Sequence, residues 1–124
     1  MQSNENKDYS GLEELVLSEV MGKYNNFIVS SAIQNAGETN QVVDFGAGIG
    51  TLAMIFRERY QINPLCVEID ELNKEHLKKR NFSFFDSLDS IPNNSDLIFS
   101  SNVLEHIEDD LGVLRSMKNN LNKN

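Results

Sequence analysis

Apolar and polar residues alternate along the chain in two periods, and the switches between them predict helices followed by alternating strands and helices. From Leu12, the apolar residues Leu12, Leu15, Val16 and Val20 share one helical face, with Glu13, Glu14 and Glu19 elsewhere. A second helix is expected over Tyr24 to Asn35, partly burying Phe27, Ile28, Ala32 and Ile33, with Gly37 as its stop signal. Both helices would precede a sheet and cover its carboxyl edge. Residues 1 to 10 are polar and read as a disordered lead-in, leaving 11 to 124 as a single domain. Strand one is expected over Gln41 to Phe45, a helix over Thr51 to Tyr60, and strand two over Pro64 to Ile69. Asp70 then caps a helix with Glu71 in its first turn, ending near Arg80. Phe82 to Phe85 reads as strand three and Asp96 to Ser100 as strand four. Asp109 or Asp110 caps a last helix that should bury Leu111, Leu114, Met117 and Leu121.

Strands that alternate with helices imply an α/β fold with a parallel sheet and right-handed crossovers. One link breaks the rule. The stretch from Ser87 to Ser95 is polar, contains Pro92, and is too short for a full crossover helix between parallel strands. A single helical turn or an extended crossing must serve there.

The chemistry concentrates where strand one ends, at Val42-Val43-Asp44-Phe45-Gly46-Ala47-Gly48-Ile49-Gly50-Thr51. A strand that ends in a glycine turn and opens a helix should present unpaired backbone N–H groups at the sheet's carboxyl end, where open α/β sheets bind nucleotide-like ligands. The dinucleotide fingerprint would need glycine at position 51, where Thr51 stands, and the third glycine comes one residue early at Gly50. Asp44, two residues before the first glycine, would repel a pyrophosphate but suits a ligand carrying an ammonium and a sulfonium. Glu68 ends strand two, 24 residues after Asp44, where a carboxylate can accept hydrogen bonds from both hydroxyls of a ribose. Asp86 follows strand three directly, with an N-cap or Asx-turn role as its competing explanation.

These motifs, in this order, resemble the class I S-adenosylmethionine-dependent methyltransferases of the small-molecule type. The resemblance covers Gln41 to Asp110 and includes Ser100-Ser101-Asn102-Val103-Leu104-Glu105-His106-Ile107 after strand four. It implies a Rossmann-like partial sheet in the order 3-2-1-4 and S-adenosylmethionine as cofactor. By the same resemblance the cofactor would touch Asp44, Gly46, Ala47, Gly48 and Gly50 in the glycine turn. Glu68 would hold its ribose, Ile69 would pack on its adenine, and Asp86 with Ser87 would read the adenine edge. Asn102 would lie beside the cofactor, and His106 is the candidate catalytic base, with a structural role in its loop as the alternative. Complete members continue with a Gly-rich turn and further strands, so the chain reads as a domain truncated before strand five. Strand four would then be an edge, which predicts a homodimer joined through strand four or the final helix.

Composition narrows the partners. The chain has 124 residues, 40% of them hydrophobic, and a net charge of −8. That charge leaves no basic track for nucleic acid, and a small-molecule acceptor is the expected partner. The Lys/Arg group Lys74, Lys78, Lys79 and Arg80 suits the carboxyl end of a helix. No apolar run reaches the length of a membrane span, and a single cysteine, Cys66, fits a cytoplasmic chain. Glu105 with His106 lacks further ligands for a metal site. Two rivals remain open: a nicotinamide-dependent oxidoreductase, and a non-catalytic module that binds S-adenosylmethionine without turnover.

Overall fold

The computed structural model describes residues 4 to 92, 94 to 100 and 110 to 121. The elements are α1 (Asn4–Ala36), β1 (Val42–Phe45), α2 (Thr51–Tyr60), β2 (Leu65–Val67), α3 (Glu71–Lys79), β3 (Phe84–Phe85), β4 (Leu97–Ser100) and α4 (Asp110–Asn120). The four strands form one parallel sheet in the order β3-β2-β1-β4, as expected. The short link from β3 to β4 is met by a single 3₁₀ turn, Leu88–Ser90. It crosses the sheet with Leu88 and Ile91 buried against Val43 and Val67.

The amino-terminal region differs most from expectation. One continuous helix of 33 residues replaces the two expected, and it already includes residues 4 to 10. Gly11 and Gly22 do not divide it, because each interior glycine costs only about 1 kcal/mol and no proline is present. Gly37, at φ +76°, ends the helix as its sequence position suggested. Only the last turns pack: Ile28, Val29, Ala32 and Ile33 lie against Val42, Phe56 and Phe99 on one face of the sheet. The helix therefore covers part of a face with α2, rather than the carboxyl edge. Leu12, Leu15, Val16, Val20 and Phe27, expected to be wholly or partly covered, are exposed. The cause is rotational, since apolar residues surround this helix and only one seam can meet the sheet.

Strand alternation sorts the core into two layers. Val42, Cys66 and Phe99 point toward α1, α2 and α3, where Phe56 meets Phe99 edge to face at 5.6 Å between ring centroids. Val43, Val67 and Ile98 point the other way, toward the 3₁₀ turn and Met117 of α4. Met117 and Leu121 are partly buried as expected, but Leu111 and Leu114 are exposed. Polar clasps fix the two ends of this layer. Asp96 Oδ2 accepts the backbone N–H of Asn40 and Gln41, each at 3.0 Å, which joins the starts of β1 and β4. Ser95, fully buried, donates its hydroxyl to Asn120 Oδ1 at 2.6 Å and anchors the end of α4.

Helix caps set the ends of α2 and α3. Asp70 accepts the N–H of Asn73 at 3.0 Å, the expected N-cap of α3. Arg57 donates to the carbonyls of Arg80 and Asn81 and lies 3.7 Å over the Phe82 ring, so α2 holds the carboxyl end of α3. Gly50 caps the other end of α2 at φ +92°, and a Cβ there would sit 3.0 Å from Leu77 Cδ2 and 3.3 Å from Phe82 Cε2. Replacing Gly50 by Ala combines backbone strain with a collision between two buried side chains. Gly50→Ala should lower stability by about 1–3 kcal/mol, read as a fall in the urea midpoint with unchanged slope.

Candidate functional site

The glycine turn closes on itself more fully than its sequence suggested. The N–H groups of Gly46 and Ala47 both donate to the carbonyl of Val67, at 2.8 and 3.1 Å, and Gly50 donates to Ala47 at 3.0 Å. Gly48 donates to Glu68 Oε1 at 2.7 Å. The expected row of unpaired backbone donors is therefore corrected: these four are satisfied within the protein. The reason is Glu68, which reaches into the turn as an internal anion would. Its second oxygen, Oε2, accepts from Ile69 and Asp70 at 3.1 and 2.9 Å, so one buried carboxylate gathers three backbone N–H groups. A carboxylate has about four acceptor positions, which leaves capacity for a ligand hydroxyl.

A cleft of about 870 Å³ opens beside this turn. Gly46, Gly48, Glu68, Ile69, Asp86 and Ser87 line it, six of the residues proposed from sequence. A Cβ on Gly48, at φ +61°, would meet nothing within 4 Å, so the backbone there faces open space. Asp44, Ala47 and Gly50 are not among the lining residues. Ala47 packs against the cluster of Ala53, Cys66 and Leu77, and Gly50 against Leu77 and Phe82. Both shape the turn from behind. Asn102 and His106 lie outside the described residues.

Asp44 is paired in register with Cys66 and Phe99, so alternation directs it away from the cleft-lining Phe45. It is buried, and its Oδ2 has no hydrogen-bond partner among the described residues. Burial, and then the charge of Glu68, push its pKa from the ordinary 3.8 up to about 7. The same burial, with Asp44 beside it, pushes the Cys66 thiol to about 12, which makes it an inert core residue.

Asp86 holds the far wall. Lys74 reaches it from α3, and their ion pair joins Lys74 Nζ to Asp86 Oδ1, with Glu71 Oε1 also 3.2 Å from Lys74 Nζ. The hydrogen bond to Asp86 is the main cause of the raised Lys74 pKa. Further lining residues were not proposed from sequence, Phe45, Val67 and Leu88 of the core among them. Asn73 stands one turn into α3, where its position three residues after the Asp70 cap could have marked it. Asp89 comes from the 3₁₀ turn. Gly112, Val113 and Ser116 form a wall on α4, a helix read from sequence only as core. Among the described residues, the charged ones lining the cleft are Glu68, Asp86 and Asp89, all acidic.

Over residues 21–124 the sequence matches the family described as methyltransferase domain. The chain belongs to that family. Solved structures show the same methyltransferase-domain fold. The plantazolicin methyltransferase BamL, in complex with a triazolic desmethylPZN analog and SAH, superposes with a TM-score of 0.69 at 18% identity, covering 98% of this chain and 49% of its own. DesVI from Streptomyces venezuelae gives 0.66 at 16% identity, covering 94% and 53%. The glycopeptide N-methyltransferase MtfA complexed with sinefungin gives 0.63 at 16% identity, covering 76% and 44%. The chain thus spans about half the length of these solved relatives. No curated protein matches the sequence.

The Asp44 proton gives a pH signature. The native chain holds it up to about pH 7, whereas an unfolded chain releases it near 3.8. Its stabilising contribution is complete below about pH 4 and is lost as pH rises through 7. Asp44→Asn, which carries no such proton, should gain on the parent between pH 4 and pH 8, by an amount on the order of 2–4 kcal/mol. Urea unfolding of both proteins at pH 5 and pH 8 checks this, and an equal difference at both would contradict it.

Proposed function

We propose that the chain is the cofactor-binding part of an enzyme that transfers a methyl group from S-adenosylmethionine to a small-molecule acceptor. The observation that carries this reading is the placing of Glu68, a carboxylate that closes the glycine turn and lines the cleft together. Where a phosphate-binding turn offers free N–H groups to an anion, this turn has supplied its own anion. Acids along the cleft favour a cationic ligand over a pyrophosphate, which disfavours a nicotinamide dinucleotide. The relatives in complex with SAH and sinefungin support the same choice.

The residues present fit the cofactor. Glu68 would accept the ribose hydroxyls with its remaining capacity, and Ile69, 76% exposed, offers an apolar surface for the adenine. Asp86 and Ser87 would border the adenine edge, and Gly48 would let the ligand approach the backbone. Bound S-adenosylmethionine supplies an activated methyl group on its sulfonium. The chain's part is to hold and orient that donor, since alignment carries much of an in-line displacement. Asp44 sits behind the turn as a second acid whose ionisation a nearby cation would favour. His106 is the sequence's candidate for taking a proton from the acceptor, and Asn102 for a cofactor contact. We keep the cytoplasm as compartment on the single buried cysteine. No helix among the described residues is long and apolar enough to cross a membrane.

Calorimetry should show S-adenosylmethionine binding and no comparable heat with NAD. Glu68→Ala should weaken S-adenosylmethionine by about 1.5–3 kcal/mol, the range for hydrogen bonds to a charged group. Equal affinity in parent and variant would remove Glu68 from the site.

The same reading includes self-association through β4 or α4. β4 is an edge of the sheet, and Leu111 and Leu114 on α4 are exposed, which supports such an interface. Light scattering should find a dimer that Leu111→Glu with Leu114→Glu shifts toward monomer. A parent that stays monomeric at every concentration would dismiss this interface.

A further inference from the structure

Lys74 is unusual for a lysine on a short surface helix. Its side chain is only 13% exposed, although both its partners, Glu71 and Asp86, are largely exposed. Pairs of this kind add little to stability, a median of about 0–1 kcal/mol. The consequence of the pair lies in geometry. Lys74 spans from α3 to the loop after β3 and fixes the Asp86 carboxylate by Oδ1 at the wall of the cleft. Oδ2 has no partner among the described residues. A carboxylate held in this way is an acceptor with no hydrogen to give.

We infer that Lys74 is a positioning residue which, by fixing Asp86, makes the cleft select a 6-amino purine over a 6-oxo purine. The inference rests on reading the cleft as the adenosyl pocket. With the purine against Ile69, which lines the same cleft, its edge comes within reach of Asp86. A 6-amino group donates to the free carboxylate oxygen. A 6-oxo group in the same place sets a lone pair against it, and the N1–H beside that group reaches the carboxylate only if the ring shifts, a loss that a polar site enforces. Freed from Lys74, an exposed Asp86 can turn into solvent, and the penalty against the oxo ligand fades.

The test is the ratio of dissociation constants for S-adenosylhomocysteine and its 6-oxo counterpart, S-inosylhomocysteine, by calorimetry. The unaltered chain should prefer the amino ligand by roughly 10- to 100-fold. Lys74→Met and Lys74→Gln should each reduce that preference several-fold, and Lys74→Arg should retain it. Asp86→Asn should bring it near unity, because an amide can rotate to donate or accept. A loss of folding or general affinity weakens both ligands alike and leaves the ratio intact, so an unchanged ratio in Lys74→Met and Lys74→Gln overturns the inference. If neither ligand binds the unaltered chain, the adenosyl reading of the cleft fails, a result separate from binding with an unchanged ratio.

Discussion

The Glu68 carboxylate is the constraint on which the site depends. It accepts N–H groups from Gly48 in the turn after β1 and from Ile69 and Asp70 at the start of α3. Two segments, the glycine turn and the loop from β2 to α3, therefore converge on one buried side chain. Burying an ionised carboxylate is expensive unless it is richly hydrogen-bonded. Three backbone donors meet that requirement, and they also explain how a turn rich in glycine can hold one shape. Glycine makes the turn possible at positive φ but leaves it loose in the unfolded chain. The carboxylate removes that looseness from the far side, 20 residues away.

A second acid lies close enough to Glu68 to feel its charge. Asp44 has an oxygen without a partner among the described residues and a proton retained to about pH 7, so burial that Glu68 tolerates is unfavourable to it. One carboxylate is stabilised by backbone dipoles and the other is held neutral by burial. Such a pair is poised toward positive charge, because a nearby cation offsets the like-charge term acting on Asp44. A phosphate would do the opposite. The ligand's sign can thus be argued from hydrogen bonds within the protein itself.

Much of the fold was readable because its signals are local. The limits of α2 at Thr51 and Tyr60, the Asp70 cap and the Gly37 stop each depend on residues within a turn of the feature. Alternation of strands and helices implied a parallel sheet, while the order 3-2-1-4 came only with the family resemblance. What could not be read depends on contacts between distant residues. Gly48 and Glu68 are each visible as motif residues, yet nothing in a linear pattern says that one satisfies the other. The bond between Lys74 and Asp86 is of the same kind, since Lys74 read only as part of a solvated basic face. Asp44 is a different case. Alternation along β1 opposes it to Phe45, so its placement behind the cleft was available from the period of two.

Burial is uneven across the domain, and the unevenness follows the sheet. The layer of α2 and α3 over β1 and β2 is well packed, with Phe56, Cys66 and Leu77 fully buried. The glycine turn and Glu68 stand on that half. Exposed large apolar side chains lie mainly on α1 and α4, the helices before and after the strand–helix core. An apolar helical face is normally covered, yet α1 meets the sheet through its last turns alone. The two halves therefore have different physical roles. Precise positioning of a ligand needs side chains locked by packing and hydrogen bonds, and the α2–α3 half supplies them. The exposed apolar side chains of α1 and α4 pack against nothing among the described residues. Their burial against other surface would bring free energy to the domain without moving the glycine turn, and on α4 it would also steady the cleft wall formed by Gly112, Val113 and Ser116.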